Sequence, residues 1–337
     1  MPDPSSESDF KPTLSVRYRK PVRGSVVWWL RFFGVVAFFV VLLRLPRSQN
    51  VAFSHIDLRW LGFCMLLTIV CLLLDALIWQ TLLSIQRIAH PYPKTLIASL
   101  AAHYLGLVTP ARVGQFLAAG YISSETGITF GYALSSVVMR KLVGWAVMMG
   151  FGLWALPLLA QKPILRNVQG IILGSLIVLV IFSAGIGLWV VSLRRLGRRW
   201  QRLSPWQIDM TEFWSGMRHL CSFRLIEVLG IGVLAFSILL MQLFTALQAL
   251  GMNLPFELVI QIAALSQLVA RLVPISVIGF GSKDAIVIGL LTQQGFDPAL
   301  ALSATLLLLI GSYLVTLLIS GLSWWVKPLV IQEHSRS

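Results

Sequence analysis

The sequence predicts an all-α integral membrane protein. It has about six full transmembrane helices and two broken or re-entrant hairpins, up to eight spans in all, arranged as an inverted-topology repeat. Three observations lead there. Hydrophobic residues make up 57% of the 337 positions and charged residues 12%, against about 25% charged in a soluble domain. Val168–Leu193 carries no charge and is long enough to cross a bilayer as one helix. Basic residues gather in the segments between apolar runs, as the positive-inside rule expects. The net charge of +14 therefore belongs beside a membrane, and nucleic acid is excluded as a partner.

Residues 1–24 are polar and rich in Pro, Ser, Arg and Lys, and read as a disordered cytoplasmic tail. The apolar run that follows is too long for a signal-peptide core and reads as a retained anchor. Residues 25–330 form one transmembrane domain, and residues 331–337 form a second cytoplasmic tail. The full helices are expected at Ser25–Leu43, Trp60–Ser84, Tyr132–Ala160, Val168–Leu193, Leu225–Leu250 and Ala299–Val326. Two stretches do not read as simple spans. Lys94–Tyr121 is interrupted at Thr109-Pro110, with Gly114 following, and Pro255–Gln294 is interrupted at Pro274 and at Gly279-Phe280-Gly281.

Charge orders these elements. Lys11, Arg17, Arg19, Lys20 and Arg23 place the N-terminus inside, and Arg194, Arg195, Arg198, Arg199 and Arg202 place their loop inside as well. Four full helices lie between, so the first broken stretch contributes an even number of crossings and fits a re-entrant hairpin. The second is either re-entrant or two short spans; both leave Lys327 and Arg336 inside. Each half, about 25–160 and 168–326, then reads helix, helix, broken hairpin, helix. The first half makes three crossings, so the second starts from the opposite side, which is the arithmetic of an inverted repeat. Breaks at matching positions of two halves point to a transporter's binding site.

Charges inside apolar stretches mark candidate site residues, because each costs about 2.5–3.5 kcal/mol at a helix centre on insertion scales. Arg31 lies near a helix end and reads as a snorkelling side chain. Arg140 and Lys141 are adjacent on one helix, so at most one faces the bundle centre, and Arg140 is the choice. Asp75 is either its counter-ion or a protonated packing residue. Thr109-Pro110 reads as a helix start within the membrane, with Thr109 as cap and Arg112 in the first turn. The second break repeats the design. Arg271 comes one turn before Pro274, Ser282 caps the next half-helix, and Lys283 and Asp284 occupy its first turn, where they either face a ligand or pair with each other. Arg112, Arg271 and Lys283 outweigh Asp284, so the cavity is net positive and suits an anion. His103 reads as a hydrogen-bonded packing residue. The three cysteines, Cys64, Cys71 and Cys221, show no metal spacing, and neither metal nor cofactor is expected.

These residues resemble the lysylphosphatidylglycerol synthase transmembrane-region family, the flippase-like membrane proteins, from about Trp60 to Val326. The family's Pro-x-Arg-x-Gly-Glu stands here as Pro110-Ala111-Arg112-Val113-Gly114-Gln115. Its Glu-Arg with a nearby Asp stands as Met139-Arg140 with Gly144. Its Pro, Gly-x-Gly and Arg-Glu stand as Pro274, Gly279-Phe280-Gly281 and Lys283-Asp284. The resemblance implies a translocase that moves an anionic or polar-headed lipid, or a lipid-linked sugar, between leaflets of a bacterial inner membrane. Enzymes of lipid synthesis are then partners beside the membrane lipids themselves. Gln115, Met139 and Gly144 replace acids, so this site is more positive than the family's. The aminoacyl-lipid synthase domain fused to some members is not expected, since the chain ends soon after the last helix. Two other readings stay open. One is a lipid-modifying transferase, although no HExxH, paired-acid or P-loop pattern is present; the other is a non-transporting scaffold of a lipid-synthesis complex.

Overall fold

The computed structural model describes residues 56–156, 210–272, 276–277 and 280–327, and for 108, 110–113, 272, 276, 277 and 280 it describes the backbone alone. The predicted helices Ser25–Leu43 and Val168–Leu193, both tails, the Arg194–Arg202 loop, Arg31, Pro274 and Gly279 lie outside the described residues. Within them the chain is helical: α1 Leu58–Ile85, α2 Tyr92–Val108, a 3-10 segment Pro110–Leu117, α3 Ala118–Thr126, α4 Phe130–Ala155, α5 Met210–Leu220, α6 Leu225–Ala249, α7 Phe256–Leu272, α8 Ser282–Gln293, α9 Pro298–Leu308, a π-helical segment Leu309–Leu314 and α10 Val315–Val326. A two-residue antiparallel ladder, β1 Ser276–Val277 with β2 Phe280–Gly281, joins α7 to α8.

Among the described residues, four helical stretches are long and apolar enough to span a membrane: α1, α4, α6 and the continuous Pro298–Val326. They match four of the six expected full helices to within a few residues at each described end. The chain is a multi-pass membrane protein of helical architecture.

Contacts at the helix ends show how the bundle is strung. Asp57 N donates to Ala249 O (3.0 Å), so the start of α1 meets the end of α6. At the other end of α1, Gln86 Nε2 donates to Ser135 Oγ of α4 (2.7 Å) and to Gly216 O of α5 (3.4 Å). Tyr121 of α3 donates its hydroxyl to Lys327 O (2.9 Å), so the end of α10 belongs to this same end. One core holds Leu243, Leu247, Leu265, Leu291 and Ala304. A second holds Trp79, Ala101, Ile122, Val137 and Trp324, where Trp324 stacks on Tyr104 at 5.2 Å.

The break after α2 differs from the expected one. A residue before proline is disfavoured in the α region, and Thr109 is extended (φ −98°, ψ 142°). It stands at the N-cap position of the 3-10 segment, with Pro110 first in that helix, but its hydroxyl makes no first-turn capping bond. Its hydroxyl donates to Leu105 O (2.7 Å) and accepts from Gly114 N (2.7 Å), so it ties the end of α2 to the returning 3-10 segment. The return is close: a Cβ on Gly114 would lie 2.4 Å from Leu105 O. The ends of this stretch meet, since His90, before α2, lies 3.2 Å from Glu125, near the end of α3.

The start of α8 is also corrected. Gly281, not Ser282, is the cap, and the Asp284 carboxylate accepts from Gly281 N (2.9 Å). The acid three residues on reaches back to the cap N–H, as the acid of a capping box does.

The last span carries a feature that the sequence reading did not anticipate. Its π segment lies against α1, where the Thr68 hydroxyl donates to Gly311 O (2.9 Å) and accepts from Gln242 Nε2 (3.2 Å). A side chain there would crowd α1, since a Cβ on Gly311 would sit 2.8 Å from Cys64 Sγ.

Gly114→Ala is expected to destabilise the protein by about 1–3 kcal/mol through overpacking. Gly150→Ala, where nothing lies within 4 Å, is expected to be neutral or stabilising by up to about 1 kcal/mol. Thermal unfolding in detergent checks both, and equal melting of the two variants would contradict the close return.

Candidate functional site

Three helices bring ionisable groups together well inside the bundle. Arg140 is ten residues into α4 and Asp75 ten residues before the end of α1. At 1.5 Å per residue, both lie about 15 Å from the same end. Arg140 Nη1 donates to Ser99 Oγ of α2 (2.8 Å) and to Asp75 Oδ2 (3.3 Å). Ser99 Oγ is also 3.3 Å from Asp75 Oδ2. His103, one turn beyond Ser99, places Nδ1 3.1 Å from Ser99 O and 3.8 Å from Asp75 Oδ2.

Spacing explains the convergence. Residues four apart share a helix face, and each helix contributes such a pair: Asp75 and Trp79, Ser99 and His103, Ser136 and Arg140. Trp79 and Ser136 orient the guanidinium. Arg140 Cζ lies 4.9 Å from the centre of the Trp79 ring, a cation–π distance. Trp79 is held in turn by its Nε1–H, which donates to Ser136 Oγ (3.0 Å).

Accessibility grades across the cluster. The Arg140 side chain is 3% exposed, His103 21% and Asp75 33%. Arginine is thus the deepest of the three side chains, and the acid and imidazole are more accessible. Buried Arg140 Nε and Nη2 have no hydrogen-bond partner among the described residues. Those two nitrogens share one edge of the guanidinium, the fork that matches two oxygens of a phosphate or carboxylate. Nη1 alone carries the contacts to Ser99 and Asp75.

The other expected site residues fall in several places. Lys141 turns away from Arg140, as adjacent helical residues do, and donates to Gln115 Oε1 of the 3-10 segment. Gln115 is itself buried. Arg112 sits in that segment and is described by its backbone only. Pro110 and Gly114 flank it, in the tight return described above. Arg271 is exposed at the end of α7. Lys283 and buried Asp284 pair with each other at 3.7 Å, and no described hydrogen bond or ion pair ties them to the Arg140 cluster. The structure thus gathers Asp75, Ser99, His103 and Arg140, with Lys141 and Gln115 beside them, and leaves the second break apart.

Residues 26–320 match the family described as lysylphosphatidylglycerol synthase TM region. The chain belongs to this family. Membership places it among membrane proteins of lipid synthesis or lipid flipping. No curated protein and no solved structure matches the chain. The Pro110–Gln115 and Met139–Gly144 segments, read above as variants of family motifs, lie within the matched region. They supply Arg140 and the Lys141–Gln115 contact.

A second polar cluster closes the end of the bundle nearest these charges. His90 Nδ1 is 2.7 Å from Thr95 Oγ1, and Nε2 is 3.2 Å from Glu125 Oε2. Glu125 also accepts from Lys327, at the end of α10. Burial pushes the His90 imidazole below its ordinary range, and the Glu125 carboxylate only partly opposes this. Burial would raise the Glu125 carboxyl, yet Lys327 and His90 hold it below the usual carboxylate range. Both folded values are depressed, so on acidification the unfolded chain takes up protons first and stability falls. The His90 contribution is complete above about pH 6.5 and the Glu125 contribution above about pH 4.3. Each is lost as pH drops through the folded value. The wild-type protein is expected to melt at a lower temperature at pH 5 than at pH 7.5, and His90→Gln to shrink that difference. An unchanged pH dependence in the variant would refute the assignment.

Proposed function

We propose that this protein is a lipid translocase that moves an anionic or polar-headed lipid, or a lipid-linked sugar, between the leaflets of a bacterial cell membrane. The observation that carries the reading is the Arg140 fork. A guanidinium held at membrane depth by Asp75, Ser99 and Trp79 keeps its two-toothed edge without a described partner. An arginine buried only for packing would pair more fully, because each unmet buried donor costs about 1–3 kcal/mol. The fork receives the phosphate of the head group, while the acyl chains stay in the surrounding lipid.

In this reading α2, the 3-10 segment and α3 form a re-entrant hairpin, supported by the return of Glu125 to His90. The segment from α7 through α8 is its inverted counterpart, with Arg271, Lys283 and Asp284 serving the head group when the halves rock. Arg112 adds charge at the first hairpin. Both termini and Lys327 face the cytoplasm, and enzymes of lipid synthesis supply or consume the lipid. Exposure of the site to each leaflet in turn requires that the head group bind the two states with different affinity.

The test is leaflet exchange in proteoliposomes with labelled anionic, zwitterionic and glycosylated lipids. Exchange above that of empty liposomes is expected for at least one class. Arg140→Ala should lower it about tenfold or more, while Arg140→Lys, which keeps the charge but lacks the fork, falls between. Equal exchange in protein-containing and empty liposomes for every class would overturn the reading. The hairpin has a separate check: cysteines placed at Thr126 and at Lys327 should be labelled from the same side of the membrane, and labelling from opposite sides would refute it.

A further inference from the structure

A pocket outside the Arg140 cluster also points to a ligand. Helix α5 lies across the end of the bundle where α1 finishes and α4 and α6 begin. Its inner face is fixed: Gly216 O accepts from Gln86 Nε2 (3.4 Å), and Leu220 packs with Ile78, Leu82 and Val228. A Cβ on Gly216 would sit 2.3 Å from Ser135 Oγ, so the helix is pressed onto α4. The outer face presents Thr211, Ser215, Arg218 and His219, all exposed, at positions that share one side of a helix. With Trp214 they line a pocket of about 450 Å³. The Arg218 guanidinium and the Ser215 hydroxyl have no partner among the described residues.

The level of this pocket identifies its occupant. The turn after α5 leads directly into the apolar span α6, and it carries Phe223 at 86% exposure and Ile226 at 58%. Apolar side chains that project outward where a span begins seat themselves at the boundary between head groups and acyl chains. Basic groups lie on the neighbouring segments: Arg218 in the last turn of α5, Arg224 just before α6, and exposed Arg87 at the end of α1. Arg224 is partly offset by Glu227 at 3.7 Å. An arginine fork, the Ser215 hydroxyl and an imidazole on the helix that leads into an apolar anchor suit a phosphate carried on a lipid, not a soluble anion.

We infer that the Thr211–Ser215–Arg218–His219 face of α5 binds the phosphate of an anionic membrane lipid from the adjoining leaflet, at a site separate from Arg140. Bound lipid clamps α5 against the ends of α1 and α4, because the same helix holds Gln86 and Ser135 on its inner side.

Native mass spectrometry of the full chain extracted from phosphatidylglycerol-containing membranes tests this. One retained phosphatidylglycerol is expected. Its occupancy should fall about fivefold in Arg218→Ala, the effect of about 1 kcal/mol for one arginine near the surface. Arg218→Lys should retain most of it. Arg59→Ala, an exposed arginine at the start of α1 and thus at the opposite end of the bundle, should retain all of it. A dye attached at Phe223→Cys should be quenched by head-group nitroxide lipids, which reports the level of the surface without relying on any charge substitution. Retention that is unchanged in Arg218→Ala, or no quenching at position 223, would overturn the proposal. Displacement of the lipid by millimolar inorganic phosphate would show a free-anion site and overturn the lipid assignment.

Discussion

The ion pair between Arg140 and Asp75 is the constraint on which the rest of this architecture depends. Neither charge is stable alone at that depth, because an isolated buried ion loses hydration that the protein has to replace. Arg140 Nη1 meets Asp75 from α1 and Ser99 from α2, and so three helices from separate parts of the chain share one register. The α2 segment is held there by its own return. Thr109 and Gly114 bring the 3-10 segment back along α2, and Gln115 on that segment takes up Lys141. The second cation of the Arg-Lys pair is thereby kept off the Arg140 site. Gln115 is neutral, so this contact forms without adding a negative charge beside the cluster.

The two edges of the Arg140 guanidinium are used differently: one serves the fold, and the other is the edge that the proposed function assigns to the head group. Nη1 serves the fold, and Nε and Nη2 are left over. Trp79 makes that division possible, because its ring fixes the guanidinium without using a hydrogen bond. At the end of the bundle, His90, Glu125 and Lys327 join the hairpin to the last span. The pH-sensitive contacts of His90 and Glu125 therefore sit where α3 meets the end of α10.

Much of this was legible in the sequence. Hydropathy located the four described spans, and Pro110 located the first break. Helical geometry allowed only one of Arg140 and Lys141 to face the bundle centre, and the two side chains do diverge. The partners of Arg140 were harder to find. Ser99, Trp79 and Ser136 are ordinary residues of apolar helices, and their only signal is the four-residue spacing to His103, Asp75 and Arg140. That spacing becomes informative when three helices are known to meet. Thr109 does stand at the cap position with Pro110 first in the helix, but the helix is 3-10 and the Thr109 hydroxyl bonds Leu105 O and Gly114 N in place of a first-turn N–H. The Ser282 cap failed because Asp284 reaches the Gly281 N–H directly. The π segment at Leu309–Leu314 has no composition signature; it follows from the contact of Thr68 with Gly311 O.

The most direct test of the central claim is a double-mutant cycle on Asp75 and Arg140, read as unfolding free energy in lipid nanodiscs. Breaking one side of a fully buried pair costs about 3–5 kcal/mol by leaving an uncompensated charge, and here the cost is lower because Asp75 is 33% exposed. Asp75→Asn and Arg140→Gln should each destabilise the protein, and the double variant should be less destabilised than the sum of the two by more than about 1 kcal/mol. Additive effects within about 0.5 kcal/mol would show that the pair does not hold the three helices together, and would contradict the account.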